Sequence, residues 1–329
     1  MQRGQVLMRT VIIHNPGAGT QYHTALAQAE RVLAQAGLEV TIKETRAPGE
    51  ATELAHASAL QGADMILAAG GDGTLNEVAN GTWQTRTALG VLPIGTANVW
   101  AKEMGLPLND LATAARMQLD APVREIDVGI VSRENLAPRI FLLWCGIGYD
   151  ALITHEIERD PQTKRRFGAL LFWLVGFRTA LEYRGQRAVF LLDGQKQGGR
   201  LMFTLISNIQ LYGGLVRIAA NAKLDDGELD VTMFHGAGIW RAAWHLVRVF
   251  TRRHLREPDI THTRAKTIEI RAKHLPMHVD GEPIGEAPAQ IRLIPRALRV
   301  LVPLQANAAL FAGGNPYDQI ETARAHSPL

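Results

Sequence analysis

The chain has 329 residues, 47% apolar and 20% charged, a length and balance that suit two folded domains and exclude a disordered chain. A net charge of +3 is too weak to argue for a nucleic-acid partner, and the six Trp are not interleaved with basic runs as a base-stacking groove requires. Cys145 is the only cysteine, which rules out an internal disulfide, and the eleven His show no zinc-site spacing.

The opening MQRGQVLMRT lacks the apolar core of a secretory signal, and residues 1–7 are expected to form a lead outside the fold. From there strand and helix alternate: strand over 9–14, helix 22–36, strand 38–44, helix 49–61, strand 64–69, helix 73–81, strand 89–94, then helices 96–104 and 109–118. Strands separated by such helices imply βαβ units and a mostly parallel sheet, whose ligands lie beyond the carboxyl ends of the strands. The loops there, at 15–20, 45–49, 70–74 and 95–98, are all rich in Gly, Thr or Asn. After Pro122 the pattern changes to strands at 123–131, 140–145, 189–192, 200–208, 228–234, 267–272, 276–279 and 291–302, with helices over 167–183 and 238–254. Asp193-Gly194 and Asp280-Gly281 are expected hairpin turns in this second, β-rich domain. Its longest apolar run, residues 169–177, is too short to span a bilayer, and the tail from 322 is expected to fray.

Residues 70–74 read Gly-Gly-Asp-Gly-Thr, directly after the apolar run of 63–69 and before a helix that closes at Gly81. Glycines there let main-chain amides approach a phosphate and permit φ > 0, while the helix directs its positive end at the loop. Asp72 in this turn would repel a bare phosphate, which suits a nucleoside triphosphate handled with magnesium. The same residues admit a purely structural reading, with Thr74 and Glu77 forming a capping box. Residues 93–98, Pro-Ile-Gly-Thr-Ala-Asn, repeat the strand-to-helix arrangement, with Thr96 as a candidate cap. Neither common nucleotide motif is present: Tyr22 stands where a Rossmann fingerprint needs its third glycine, and Thr96 follows Gly95 where a Walker A loop needs Lys.

Residues 223–230 place four carboxylates within six positions, which reads either as a solvated turn or as a hard-cation site. Residues 279–283, Val-Asp-Gly-Glu-Pro, read as a hairpin turn whose acid is in a position to serve as a general base. In the helix at 238–254, Trp240, Ala243, Trp244 and Val247 fall at helical spacing beside Arg241, Arg248 and Arg252. That pattern is either a core face with a solvated face, or a contact for an anionic membrane surface.

The chain resembles the diacylglycerol kinase catalytic-domain family of bacterial lipid kinases, which includes the sphingosine and ceramide kinases. The matching stretches are I13-H-N-P-G-A-G19, G70-G-D-G-T-L-N-E-V-A-N-G81, P93-I-G-T-A-N98, I126-D-V-G129, G146-I-G-Y-D-A151, Y212-G-G214, L224-D-D-G-E-L-D-V231 and V279-D-G-E282. They occur in the family's order over residues 8–305. The resemblance implies a three-layer α/β nucleotide-binding domain over 1–124, a β-rich, sandwich-like antiparallel lipid-substrate domain over 125–303, and a segment from 304 that packs back on the first. It implies an active site in the cleft between them, ATP as co-substrate, and Mg²⁺. ATP would meet Asn15, Thr45, the run Gly70, Gly71, Asp72, Gly73, Thr74, Leu75, Asn76 and Glu77, and then Gly95, Thr96 and Asn98. Glu282 would accept the proton of the lipid hydroxyl, and Asp72 would act on the triphosphate through Mg²⁺. A structural Mg²⁺ would be held by Asp226 with the main-chain carbonyls of Lys223 and Glu228.

The implied protein is a cytoplasmic enzyme working peripherally at an anionic membrane surface on a membrane lipid; the sequence leaves a homodimer open and points to no nucleic acid. Three positions depart from the family pattern. Val99 follows Asn98 where many relatives carry Asp. Leu215 stands where a further Gly often follows Tyr-Gly-Gly, and Ala219 or Ala220 where a Pro is usual. Alternative readings are a sphingoid or ceramide kinase, an NAD kinase, whose Gly-Gly-Asp-Gly loop is shared but which shows no match after residue 130, and a non-catalytic nucleotide- or lipid-binding relative.

Overall fold

The computed structural model describes residues 8–18, 22–134, 136–158 and 183–314. Apart from Tyr183 the helix expected over 167–183 lies outside them, as do residues 1–7, the basic run at 164–166, the apolar run at 169–177, Gly19 and the tail from 315. The chain divides into two compact units, Met1–Ile126 with Arg296–Leu329, and Asp127–Pro295.

The first unit runs β1 (Arg9–His14), α1 (His23–Gln35), β2 (Glu39–Glu44), α2 (Glu50–Leu60), β3 (Met65–Gly70), α3 (Asp72–Thr82), β4 (Ala88–Pro93), α4 (Val99–Glu103) and α5 (Leu111–Leu119). Strands β3 and β4 are buried at every position, as uninterrupted apolar runs in a parallel sheet should be. All pairings are parallel, in the order β4-β3-β1-β2. Right-handed crossovers then place α1 on one face and α2 and α3 on the other. The packing of α1 on α5 and of α2 on α3 agrees with this. Because the chain leaves β1 towards one face and β3 towards the other, the switch point of the sheet lies between these two strands.

Two expected helix starts are corrected. The capping box of Thr74 and Glu77 does not form: α3 begins at Asp72 after Gly71, with no side-chain cap. Thr74 Oγ1 instead accepts from Asn15 Nδ2 (3.0 Å), and Glu77 Oε2 accepts from the amide of Ala51 (3.1 Å). Likewise Thr96 caps nothing and is exposed; α4 starts three residues later, after Asn98, whose backbone is left-handed (φ 47°).

The second unit takes in most of β5 (Val123–Ser132) and continues through β6 (Arg139–Phe141), β7 (Trp144–Gly148), α6 (Tyr149–Glu158), β8 (Gln186–Leu192), β9 (Gln195–Ser207), β10 (Leu211–Tyr212), β11 (Val216–Arg217), β12 (Leu229–His235), α7 (Ile239–Phe250), β13 (Ile260–Ala265), β14 (Thr267–Arg271), β15 (Pro276–Val279), β16 (Glu282–Glu286) and the first half of β17 (Ala289–Leu301). Its strands pair antiparallel around β9, which meets β7, β8 and β12. Inward residues including Phe141, Phe190, Ile206, Val231, Met233 and Ile270 form its core. Both expected hairpins are present. Asp193-Gly194 (φ 47° and 82°) and Asp280-Gly281 (φ 48° and 86°) make two-residue turns with two successive positive φ values, the backbone that matches strand twist.

Candidate active site

In the first unit the sheet ladder runs on into the loops. The amide of Asn15 donates to the Ala69 carbonyl (3.0 Å), that of Thr45 to His14 (2.9 Å) and that of Ile94 to Gly70 (3.1 Å). The candidate ATP residues following β1, β2, β3 and β4 are therefore held at one edge of the sheet. Asn15 crosses the switch point to Thr74, and its Oδ1 accepts from the Gly17 amide (2.9 Å). Asp72 ties the second loop to the first: its Oδ2 accepts from the Val99 amide (3.0 Å) and its Oδ1 from that of Trp100 (3.1 Å). Burial pushes the Asp72 carboxyl up from its ordinary value, while the two amides and Lys102 pull it back. Asn98 closes its own loop, accepting from the Gly95 amide (3.1 Å) and donating to the Gly95 carbonyl (2.7 Å). The amides of the first turn of α3 have no acceptor within the helix, which leaves donors for an anion. Leu75 and Asn76 are buried, the Leu75 amide donates to the Gly71 carbonyl (3.0 Å), and Glu77 is spent on α2.

Gly70 and Gly95 are needed here for close approach rather than for positive φ, which corrects the expectation. Neither Gly70, Gly71, Gly73 nor Gly95 has a positive φ. A Cβ on Gly70 would lie 2.3 Å from Thr74 Oγ1, and one on Gly95 would lie 2.4 Å from the Gly71 Cα. The two loops thus touch main chain to main chain. Gly95→Ala is expected to cost about 1–3 kcal/mol through overpacking, read as a lower urea midpoint with an unchanged slope.

In the second unit Glu282 follows the Asp280-Gly281 turn and its carboxylate pairs with Arg139. Two buried acids hold the turn: Asp280, expected only as a turn residue, and Asp150, to which sequence reasoning assigned no role. Asp280 accepts from the amides of Leu142 (2.9 Å), Leu143 (2.9 Å) and Trp144 (3.0 Å). Asp150 accepts from the Tyr212 hydroxyl, and from His278 Nε2 at 2.6 Å. His278 Nδ1 accepts from the Gly281 amide (3.3 Å), so the ring proton sits on Nε2 and points at Asp150. Gly146 makes room for this pair, since a Cβ there would lie 2.0 Å from His278 Nε2. Burial, then the Asp150 charge, pushes the Tyr212 phenol well up, so it stays a donor.

The acidic turn packs against β13. Asp226 Oδ1 accepts from the Glu228 amide (3.2 Å), and Arg264 Nη1 reaches Asp226 Oδ2 (3.4 Å) and Glu228 Oε2 (2.9 Å). Asp127 accepts from the Gly227 amide (2.7 Å) and donates its own amide to the Leu224 carbonyl (2.7 Å). Burial, then Asp226 and Glu228 opposed by Arg264, pushes Asp230 up to about 7, and its Oδ2 is buried without a hydrogen-bond partner among the described residues. Among the described residues no group of three or more His, Cys, Asp or Glu side chains takes up metal-holding geometry. The expected ligand set is of another kind, one carboxylate with two main-chain carbonyls. Excess negative charge and an orphaned acid oxygen fit a hard cation beside it.

Residues 9–131 match the diacylglycerol kinase catalytic domain, and residues 145–302 match the YegS C-terminal NAD kinase beta sandwich-like domain. The chain carries the catalytic domain of the diacylglycerol kinases. This kinase is 29% identical to a diacylglycerol kinase of Bacillus subtilis, over 90% of its own length and 97% of the relative's. It is 28% identical to a diacylglycerol kinase of Mycobacterium tuberculosis, over 77% and 82% of the two chains. A crystal structure of a diacylglycerol kinase from Bacillus anthracis superposes with a TM-score of 0.73 at 27% identity, covering 90% of this kinase and 98% of that chain. Among the kinase's described residues no helix is long and apolar enough to cross a membrane.

Proposed function

We propose that this ATP-dependent lipid kinase transfers the γ-phosphate of ATP to the free hydroxyl of a diacylglycerol, working at the surface of a membrane from the cytoplasmic side. The observation that carries the reading is the cradle beside the sheet's switch point, in which the loops after β3 and β4, at 70–74 and 95–98, meet glycine to glycine. Phosphoryl transfer needs positioning and charge neutralisation more than covalent help, which such a cradle of amides supplies. In this reading Asn15 and Thr74 fix the loop after β3, Asp72 fixes the loop after β4, and Thr45 and Thr96 contribute hydroxyls to the nucleotide. Glu282 accepts the hydroxyl proton while the lipid oxygen attacks phosphorus, and Arg139 orients its carboxylate.

Asp226, with the carbonyls of Lys223 and Glu228, would hold the structural Mg²⁺, which supplies positive charge among the acids of the turn. An ionised carboxylate offers about four lone-pair sites, of which Asp72 spends two on amides, leaving capacity for the Mg²⁺ that accompanies ATP. The test is incubation of the whole chain with γ-labelled ATP, NAD and a panel of lipids carrying free hydroxyls, diacylglycerol and a sphingoid base among them. Label in phosphatidic acid is the expected result. Label in NAD or in a sphingoid base, or none in any lipid, would overturn the assignment of the acceptor.

A further inference from the structure

Among the described residues helix α7 is anchored by little. His245 and Val249 are its buried residues, with His245 Nε2 donating to the His235 carbonyl (2.9 Å). The opposite face is apolar and open to solvent: Trp240 is 87% exposed, Phe250 54%, Val247 52% and Trp244 45%. Leu255, just beyond the helix, is exposed as well. Arginines border this face. Arg248 lies 4.4 Å over the Trp244 ring and pairs with Glu257, and Arg241 pairs with Asp259. Arg252, Arg253 and Arg256 are exposed and have no ion-pair partner among the described residues.

We propose that this face of α7, with the three arginines after it, docks the kinase on a bilayer rich in anionic headgroups. The inference rests on the lipid-kinase reading and says which surface meets the membrane. Exposed aromatic and aliphatic side chains beside unpaired cations are the composition of a helix lying in the headgroup boundary, where indole rings sit at the polar–apolar junction and arginines meet phosphates. A second copy of the chain is a poorer occupant, because a two-fold contact through this face would set one copy's unpaired arginines against the other's.

The experiment is sedimentation of the full chain with phosphatidylcholine vesicles, with and without phosphatidylglycerol. It is paired with turnover on a long-chain diacylglycerol in those vesicles and on a short-chain diacylglycerol dissolved as monomers. The wild type should bind the anionic vesicles more tightly. Arg252→Gln with Arg253→Gln and Arg256→Gln should lose about 100-fold of that binding, at roughly fivefold per arginine, with no loss on neutral vesicles. Trp240→Glu with Phe250→Glu should bind both kinds at least about tenfold more weakly. Both variants should keep wild-type turnover on the dissolved substrate while losing it on vesicles, which also reports that they fold. Equal vesicle binding by wild type and variants overturns the proposal. So does a wild-type dimer that the Trp240 variant disperses without any change in vesicle binding. A wild type that binds vesicles but phosphorylates neither substrate would sink the lipid-kinase reading and leave the docking surface standing.

Discussion

Glu282→Gln is expected to lower turnover about 10²- to 10⁴-fold while ATP affinity stays within about twofold. The substitution keeps the shape of the side chain and an oxygen that can accept from Arg139, so the ion pair becomes a neutral hydrogen bond and the hairpin survives. What disappears is the basic oxygen that takes the proton from the attacking hydroxyl. The measurement is steady-state kinetics with ATP and lipid varied separately, beside ATP binding by calorimetry. Turnover equal to wild type would remove Glu282 as the proton acceptor. Loss of ATP binding in step with turnover would reassign it to the nucleotide.

Asp72→Ala should act on the opposite parameter. Removing the carboxylate strands the amides of Val99 and Trp100, each with a desolvation cost of about 1–3 kcal/mol. Helix α4 has only five residues, so its start has little else to hold it, and the loop at 95–98 moves with it. Stability is expected to fall by about 2–4 kcal/mol, and ATP affinity by about 10- to 100-fold. Asp72→Asn keeps one acceptor oxygen and should fall between wild type and Asp72→Ala on both scales. Should Asp72→Ala unfold and bind ATP as the wild type does, Asp72 would not be the tie between the loops.

The parallel half of the fold was legible because its strands are apolar runs punctuated by glycine, and a buried parallel strand writes itself in that way. The glycine loops were legible for the same reason. Their geometry was not, since whether a glycine serves positive φ or close packing depends on what lies opposite: Gly71 and Gly95 come from loops on different strands. The late start of α4 was hidden because Asn98 bonds to Gly95 and outcompetes a helix capped by Thr96. Strand β13, Ile-Thr-His-Thr-Arg-Ala, carries too few apolar residues to announce itself, and β16 hides in a run of Glu, Pro and Gly. Tyr212 and Asp150 sit in separate motifs and His278 just before a third, 62 and 128 residues apart in their contacts, and only the folded sheet unites them. A buried Asp within an otherwise apolar stretch was the one available signal, at Asp127 and Asp150 alike.

Strand β17 carries a consequence for how the polypeptide is made. Its far end lies beside β4, with Val300 opposite Leu89, and the chain then returns to α4 where Asn307 bonds twice to Glu103 (2.8 Å each). A nascent chain halted after Ile126 already holds every glycine loop, yet it lacks the strand that covers the open edge of β4. On the ribosome the portion synthesised first therefore has to wait, with an unpaired edge, until about the last tenth of the chain has emerged.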